Sequence, residues 1–142
     1  MKTKNAQEVL KNVEAMIIAL ENQNGRRYGY RPCYRIASVC DELNIFDWWN
    51  ENLSKSQLQD MKKFLKEAIK LGYTGYVCFK VGATGCANGM WAYKEESTTG
   101  HSPDGETLYK SFTPAYNEWS FKNADGEWTH EIKTIKELEA RI

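Results

Sequence analysis

Neither sign of charge predominates in this chain: 19 Lys and Arg residues stand against 19 Asp and Glu. A tail that coats nucleic acid, or an acidic mimic of DNA, needs a one-sided field, so bulk nucleic-acid binding is excluded as a whole-chain function. Long apolar runs are missing as well. The longest near the N-terminus covers residues 15–20, between Glu14 and Glu21, far short of the roughly 20 residues that span a bilayer. It is also too short and too acidic in its flanks for a secretory signal, so a cytoplasmic protein without a membrane partner is expected. Cysteine is sparse, at Cys33, Cys40, Cys78 and Cys86. No two of these have the short Cys-x2-4-Cys spacing of structural zinc sites, and free, buried thiols are expected in a reducing compartment. Walker and dinucleotide glycine patterns are both absent, as are low-complexity tracts, internal repeats and repeating βαβ units.

Aromatic residues, by contrast, are plentiful: they make up 13% of the 142 residues, with 5 Trp and 8 Tyr. Such rings either thicken a core or line a recognition surface. A chain of this length buries roughly 70% of its unfolded surface and needs no disulfide staple. One domain is expected over residues 1–142, with a helical part at 1–72 and a mainly β part at 73–142.

Periodicity sets out the elements. Val9, Leu10, Val13, Met16, Ile17 and Leu20 recur at helical spacing over residues 6–23, and Asn24-Gly25 supplies a left-handed stop. Pro32 suits the first turn of a second helix, with Cys33, Ile36, Ala37, Cys40 and Leu43 on one stripe. Ile45, Phe46, Trp48 and Trp49 form an aromatic knot. Ser54 with Gln57 is a capping box, opening a third helix with a stripe of Leu58, Met61, Phe64, Leu65, Ala68 and Ile69, closed by Gly72. Past Gly72 the period becomes two. Strands are predicted over residues 73–81, 90–95, 107–112, 118–122 and 127–131, with a turn at Asn123-Ala124-Asp125-Gly126. Ile135, Leu138 and Ile142 mark a short terminal helix. The fold class is α+β: about three N-terminal helices packed on a C-terminal antiparallel β-meander.

The sharpest local bias is in arginine. Four of five arginines, Arg26, Arg27, Arg31 and Arg35, fall within ten residues and alternate with Tyr28, Tyr30 and Tyr34. Guanidinium forks pair with phosphate or carboxylate, and tyrosine rings offer flat stacking surfaces. On the predicted second helix, Arg31 and Arg35 share a face near its positive end, which favours anions. The competing reading is a solvated face paired with Glu21, Asp41 or Glu42. The loop at residues 82–89 is rich in glycine, and Asn88 with Thr84 would add hydrogen bonds to an anion held by backbone N–H groups; the competing reading is a plain hairpin connection. Cys86 with His101 or His130 would make a thiolate–imidazole pair, and Cys78, Cys86 and His101 a long-range metal site, but neither follows a known local pattern. No catalytic residue, metal or cofactor is therefore assigned. One face of the meander is expected to expose rings, among them Tyr109 and Tyr116, with Trp119 and Phe121 packed inward.

The segments Gly29-Tyr30-Arg31-Pro32-Cys33-Tyr34-Arg35, Gly85-Cys86-Ala87-Asn88-Gly89-Met90-Trp91 and Ser102-Pro103-Asp104-Gly105 resemble small accessory proteins of bacteriophages and prophages. The likeness covers most of the chain after Gly25. It implies a counter-defence protein acting in the host cytoplasm by stoichiometric binding, either sequestering a nucleotide signal or, in the anti-CRISPR manner, covering a surface of a defence nuclease. No functional residue transfers from either group. Residue chemistry and resemblance together favour a non-enzymatic protein binding an anionic, nucleotide-like ligand through Arg26, Arg27, Tyr28, Tyr30, Arg31, Tyr34, Arg35 and Asn88, with a homodimer as one arrangement for such a surface. The alternative is an inhibitor of a host defence enzyme.

Overall fold

The computed structural model describes residues 4–22, 27–28, 31–35, 52–81, 87–99, 101–112, 118–129 and 132–142. Helix α1 (Ala6–Asn22) buries Ala6, Val9, Val13, Met16, Ile17 and Leu20 along the expected stripe. The backbone then forms a small antiparallel sheet from β1 (Arg27–Tyr28), β2 (Arg31–Arg35) and β3 (Asn52–Ser54), in the order β1-β2-β3. Helix α2 (Lys55–Lys70) starts at once. Ser54 accepts a hydrogen bond from the Gln57 N–H at 3.1 Å, and the Gln57 side chain accepts from the Ser54 N–H at 2.8 Å, which completes the capping box. Two orphan donors of the first turn are thereby satisfied. At the other end Gly72, at φ +92°, takes the left-handed conformation that releases the chain from the helix.

Four strands follow: β4 (Val77–Val81), β5 (Ala87–Tyr93), β6 (Thr107–Ser111) and β7 (Trp119–Lys122). They pair antiparallel in sequence order, a meander. Helix α3 (Ile135–Arg141) is capped by Thr134, whose hydroxyl accepts from the Glu137 N–H. The fold is α+β, with helices laid over one face of the sheet. That face carries Val77, Phe79, Met90, Ala92, Leu108, Trp119 and Phe121, and these join the buried stripes of α1 and α2 and Leu138 of α3 in one hydrophobic cluster. Leu58, Met61, Phe64 and Leu65 are at most 1% exposed, each contributing roughly 1.5–3 kcal/mol by leaving water. The two long helices lie antiparallel, with Lys55 3.0 Å from Glu21 and Lys62 3.9 Å from Glu14. These are exposed pairs of small energetic weight.

The N-terminus of α1 is fastened to the sheet edge by backbone. The Ala6 N–H donates to the Gly75 carbonyl at 2.9 Å, the Gly75 N–H to Tyr93 at 2.8 Å and the Tyr76 N–H to Glu95 at 2.9 Å. Only glycine fits at position 75, since a Cβ there would lie 2.1 Å from the Glu95 carbonyl oxygen. On the outer face of the sheet, Tyr109 stacks obliquely on Trp91 with centroids 4.7 Å apart and also covers Gly89, where a Cβ would sit 2.5 Å from the ring.

Three expectations need correction. Residues 31–35 are a strand and not the opening of a helix. Tyr28 pairs with Arg31 and Arg27 with Pro32, while Cys33, Tyr34 and Arg35 pair with Ser54, Leu53 and Asn52. Among the described residues each β2 residue thus has a pairing partner on one side only, and Pro32, lacking an N–H, is tolerated there. Asn88 is not a loop residue: β5 begins at Ala87, and Asn88 is the unpaired residue of a bulge between the Lys80–Gly89 and Val81–Ala87 pairs. Of the fifth predicted strand, residues 127–129 form only an isolated bridge from Trp128 to Lys122, with another from Ile132 to Trp119 and residues 130–131 outside the described ones; this follows the Asn123 turn, whose side chain accepts from the Asp125 and Glu127 N–H groups. The expected stop at Asn24-Gly25, the stripe from Ile36 to Leu43 and the knot at Ile45 to Trp49 lie outside the described residues. No helix among the described residues is long and apolar enough to cross a membrane.

Candidate functional site

Four elements meet around a cleft of about 430 Å³, lined by Asp60, Lys63, Phe64, Lys66, Glu67, Lys110, Phe112, Trp119 and Ile135. The volume lies within the roughly 300–1,000 Å³ typical of small-molecule pockets. On α2, Asp60, Lys63, Phe64 and Glu67 are spaced i, i+3, i+4 and i+7, which puts them on one stripe beside the buried face. Lys110 on β6 is opposite Trp119 on β7. Ile135 opens α3.

The floor is aromatic. Phe64 stacks on Trp119 with centroids 5.8 Å apart and planes at 17°, and meets Phe112 edge-on at 6.4 Å. The Lys110 ammonium stands 5.4 Å from the Trp119 ring centroid, within cation–π range. The rim is ionic, with three lysines against two carboxylates. Burial lowers the pKa of Lys110, and the charges of Asp60 and Glu118 partly restore it. Burial likewise raises Asp60, against the opposing pull of Lys63 and Lys110. The two groups thus share a partly desolvated field. Glu67 has one carboxylate oxygen, Oε2, that is buried without a hydrogen-bond partner among the described residues. An apolar floor under a mixed rim with a positive excess suits a ligand that combines a flat ring with a negative group.

Of the residues singled out from sequence, Arg26 and Tyr30 lie outside the described residues, as do Cys86, His130 and Tyr116. Arg27, Tyr28, Arg31, Tyr34, Arg35 and Asn88 are located by backbone. The small sheet brings positions 27 and 28 beside 31 and 32, and its third strand runs directly into α2, about 9 Å of helix before Asp60 at 1.5 Å per residue. Asn88 lies on β5, in the other sheet. Cys78 is buried, and its thiol is pushed up to about 12 by desolvation, partly offset by a hydrogen bond from the Trp91 backbone. Its nucleophilic form is suppressed. His101 is exposed, and its carbonyl accepts from Ser97 Oγ at 2.6 Å. Among the described residues no group of three His, Cys, Asp or Glu side chains is placed to hold a metal. Trp119 and Phe121 face inward as expected, and Tyr109 is half-buried against Trp91.

Sequence reasoning missed the cleft. Its signal was a lysine at an inward position: Leu108 and Lys110 share the strand period of two, and Leu108 is fully buried. Asp60 and Glu67 flank Phe64 in the same way. No family model, curated protein or solved structure matches the chain.

Proposed function

We propose that the protein is a non-enzymatic binding protein that sequesters an anionic, nucleotide-like ligand, in the manner of a phage counter-defence factor. The observation that carries this reading is the cleft between α2, β6–β7 and α3, where Phe112 and Ile135 give an apolar floor and Lys63, Lys66 and Lys110 a cationic rim. Ammonium groups neutralise phosphate, and partial desolvation at Lys110 strengthens that attraction. Strands β1 and β2, which carry Arg27, Arg31 and Arg35, pair with β3, whose end opens α2.

Calorimetry with cyclic and linear nucleotides tests the reading. Binding is expected with at least one member, weakened about tenfold by Lys110→Ala, the loss of one charge-assisted contact. No heat with any nucleotide overturns it. Loss in Arg31→Ala and Arg35→Ala, with Lys63→Ala and Lys110→Ala unaffected, moves the ligand to the arginine strands.

The second reading, inhibition of a host defence enzyme such as a CRISPR nuclease by protein contact, is favoured by Trp128, 41% exposed beyond the Asn123 turn. Tryptophan dominates interface hot spots. A stable partner from host lysate that is lost in Trp128→Ala supports this second reading over the first.

A further inference from the structure

Helix α1 buries one stripe against the core and bears a second that the fold leaves in water. Gln7, Leu10, Lys11, Glu14, Ala15 and Ile18 line an open groove of about 340 Å³ along it. Positions 7, 11, 14 and 18 are four, three and four apart, the spacing of one helix face. At about 100° per residue, that face is centred roughly 150° around the helix from the stripe of Val9, Val13, Met16 and Leu20. Ile18 is 57% exposed, and the Glu14 side chain, loosely held by Lys62 at 3.9 Å, is 44% exposed. Single apolar side chains in water are ordinary. The order of residue types along the groove is not.

Set against its own reverse, about a centre between Asn12 and Val13, the stripe complements itself. Lys11 falls opposite Glu14, Leu10 opposite Ala15 and Gln7 opposite Ile18. Each charge meets its opposite, the small Ala15 leaves room for Leu10, and the methylenes of Gln7 cover Ile18. A contact between identical copies across a two-fold axis requires this reciprocity, in which one residue meets a second and the second meets the first. A parallel alignment would instead set Lys11 on Lys11 and Glu14 on Glu14. We propose that α1 packs antiparallel on α1 of a second copy through this stripe, making the protein a two-fold homodimer. No residue of the stripe lines the cleft, so the dimer stands independently of the ligand reading. A helix face about 18 Å long, at 1.5 Å per residue, offers less than the roughly 800 Å² per partner of a standard interface, so association is weak and concentration-dependent.

Sedimentation equilibrium over a concentration series, with a thermal melt of each variant, is the test. Wild type is expected to dimerise, and Ile18→Glu to be monomeric with an unchanged melting temperature. Lys11→Glu and Glu14→Lys are each expected to weaken self-association about tenfold, because each sets like charges opposite one another twice. Mixed in equal amounts, these two variants bring every charge opposite its counterpart, and a heterodimer at least as tight as the wild-type dimer is expected. Wild type that stays monomeric up to about 1 mM overturns the inference and leaves the stripe to a different partner. A dimer that survives Ile18→Glu, or charge variants whose mixture associates no better than either alone, assigns the contact to another surface and likewise overturns it. If Ile18→Glu melts early, the mixture of charge variants alone decides.

Discussion

A buried thiol and a half-buried lysine show how much residue behaviour is set by surroundings. Cys78 lies on the outward register of β4, opposite Trp91, yet is only 6% exposed. Desolvation, raising its pKa to about 12, leaves it almost wholly protonated at neutral pH. Alkylation followed by peptide mass analysis should therefore leave Cys78 unmodified in the folded protein at pH 8 and label it fully in urea; rapid labelling of the folded form would show that the residue is accessible. Lys110 is governed by the same burial acting in the opposite direction, because desolvation disfavours the charged ammonium just as it disfavours the thiolate. A phosphate in the cleft would act against that shift, because a nearby negative charge favours the ammonium.

At the scale of elements, glycine 75 is the joint between α1 and the sheet. Gly75→Ala would force a methyl to within 2.1 Å of the Glu95 backbone carbonyl, and neither the α1 tie nor the Tyr93 bond survives a shift of that size. A loss of about 3 kcal/mol or more is expected in urea titration, whereas Gly72→Ala, with open space around it, should lose less. Mild loss at position 75 would mean that the strand edge yields. Local signals made much of this architecture readable. The capping box at Ser54, the apolar stripe of α2 and the alternation after Gly72 each act within one or two turns of chain, and each has its structural counterpart. The strand at Arg31 was not readable in that way, because Pro32 and the Cys33–Cys40 spacing also satisfy a helix start. What decides for the strand is pairing with Asn52–Ser54, some twenty residues on, which no local preference encodes. The cleft escaped for a related reason: its residues come from α2, β6, β7 and α3, and only their assembly turns a solvent-like lysine into an inward one.

For the whole molecule, stability should depend on alkaline pH in a defined sense. Cys78 and Tyr73 each have a folded pKa of about 12, above their ordinary values, with burial the main cause and Glu106 adding to it at Tyr73. Tyr76 is raised as well, chiefly by burial. A raised acid binds its proton more tightly in the folded state, so its stabilisation is complete below the unfolded pKa and is lost as pH climbs to the folded one. For Cys78 that window runs from about 9 to about 12, and by linkage the thiol alone removes about 3 kcal/mol between pH 8 and pH 11. Urea midpoints should fall across this range and fall less steeply in Cys78→Ala. Parallel curves for the two proteins would show that the thiol ionises equally in both states.

The backbone tie from Ala6 to Gly75 has a temporal side. During synthesis α1 emerges first, but the carbonyl that receives its N-terminus follows about seventy residues later, roughly 4–14 s at ordinary elongation rates. Its apolar stripe has no sheet to rest on during that interval. Docking of the helical layer on the sheet must therefore wait for the meander, and the folding rate should track this long-range closure, not the speed with which either helix forms.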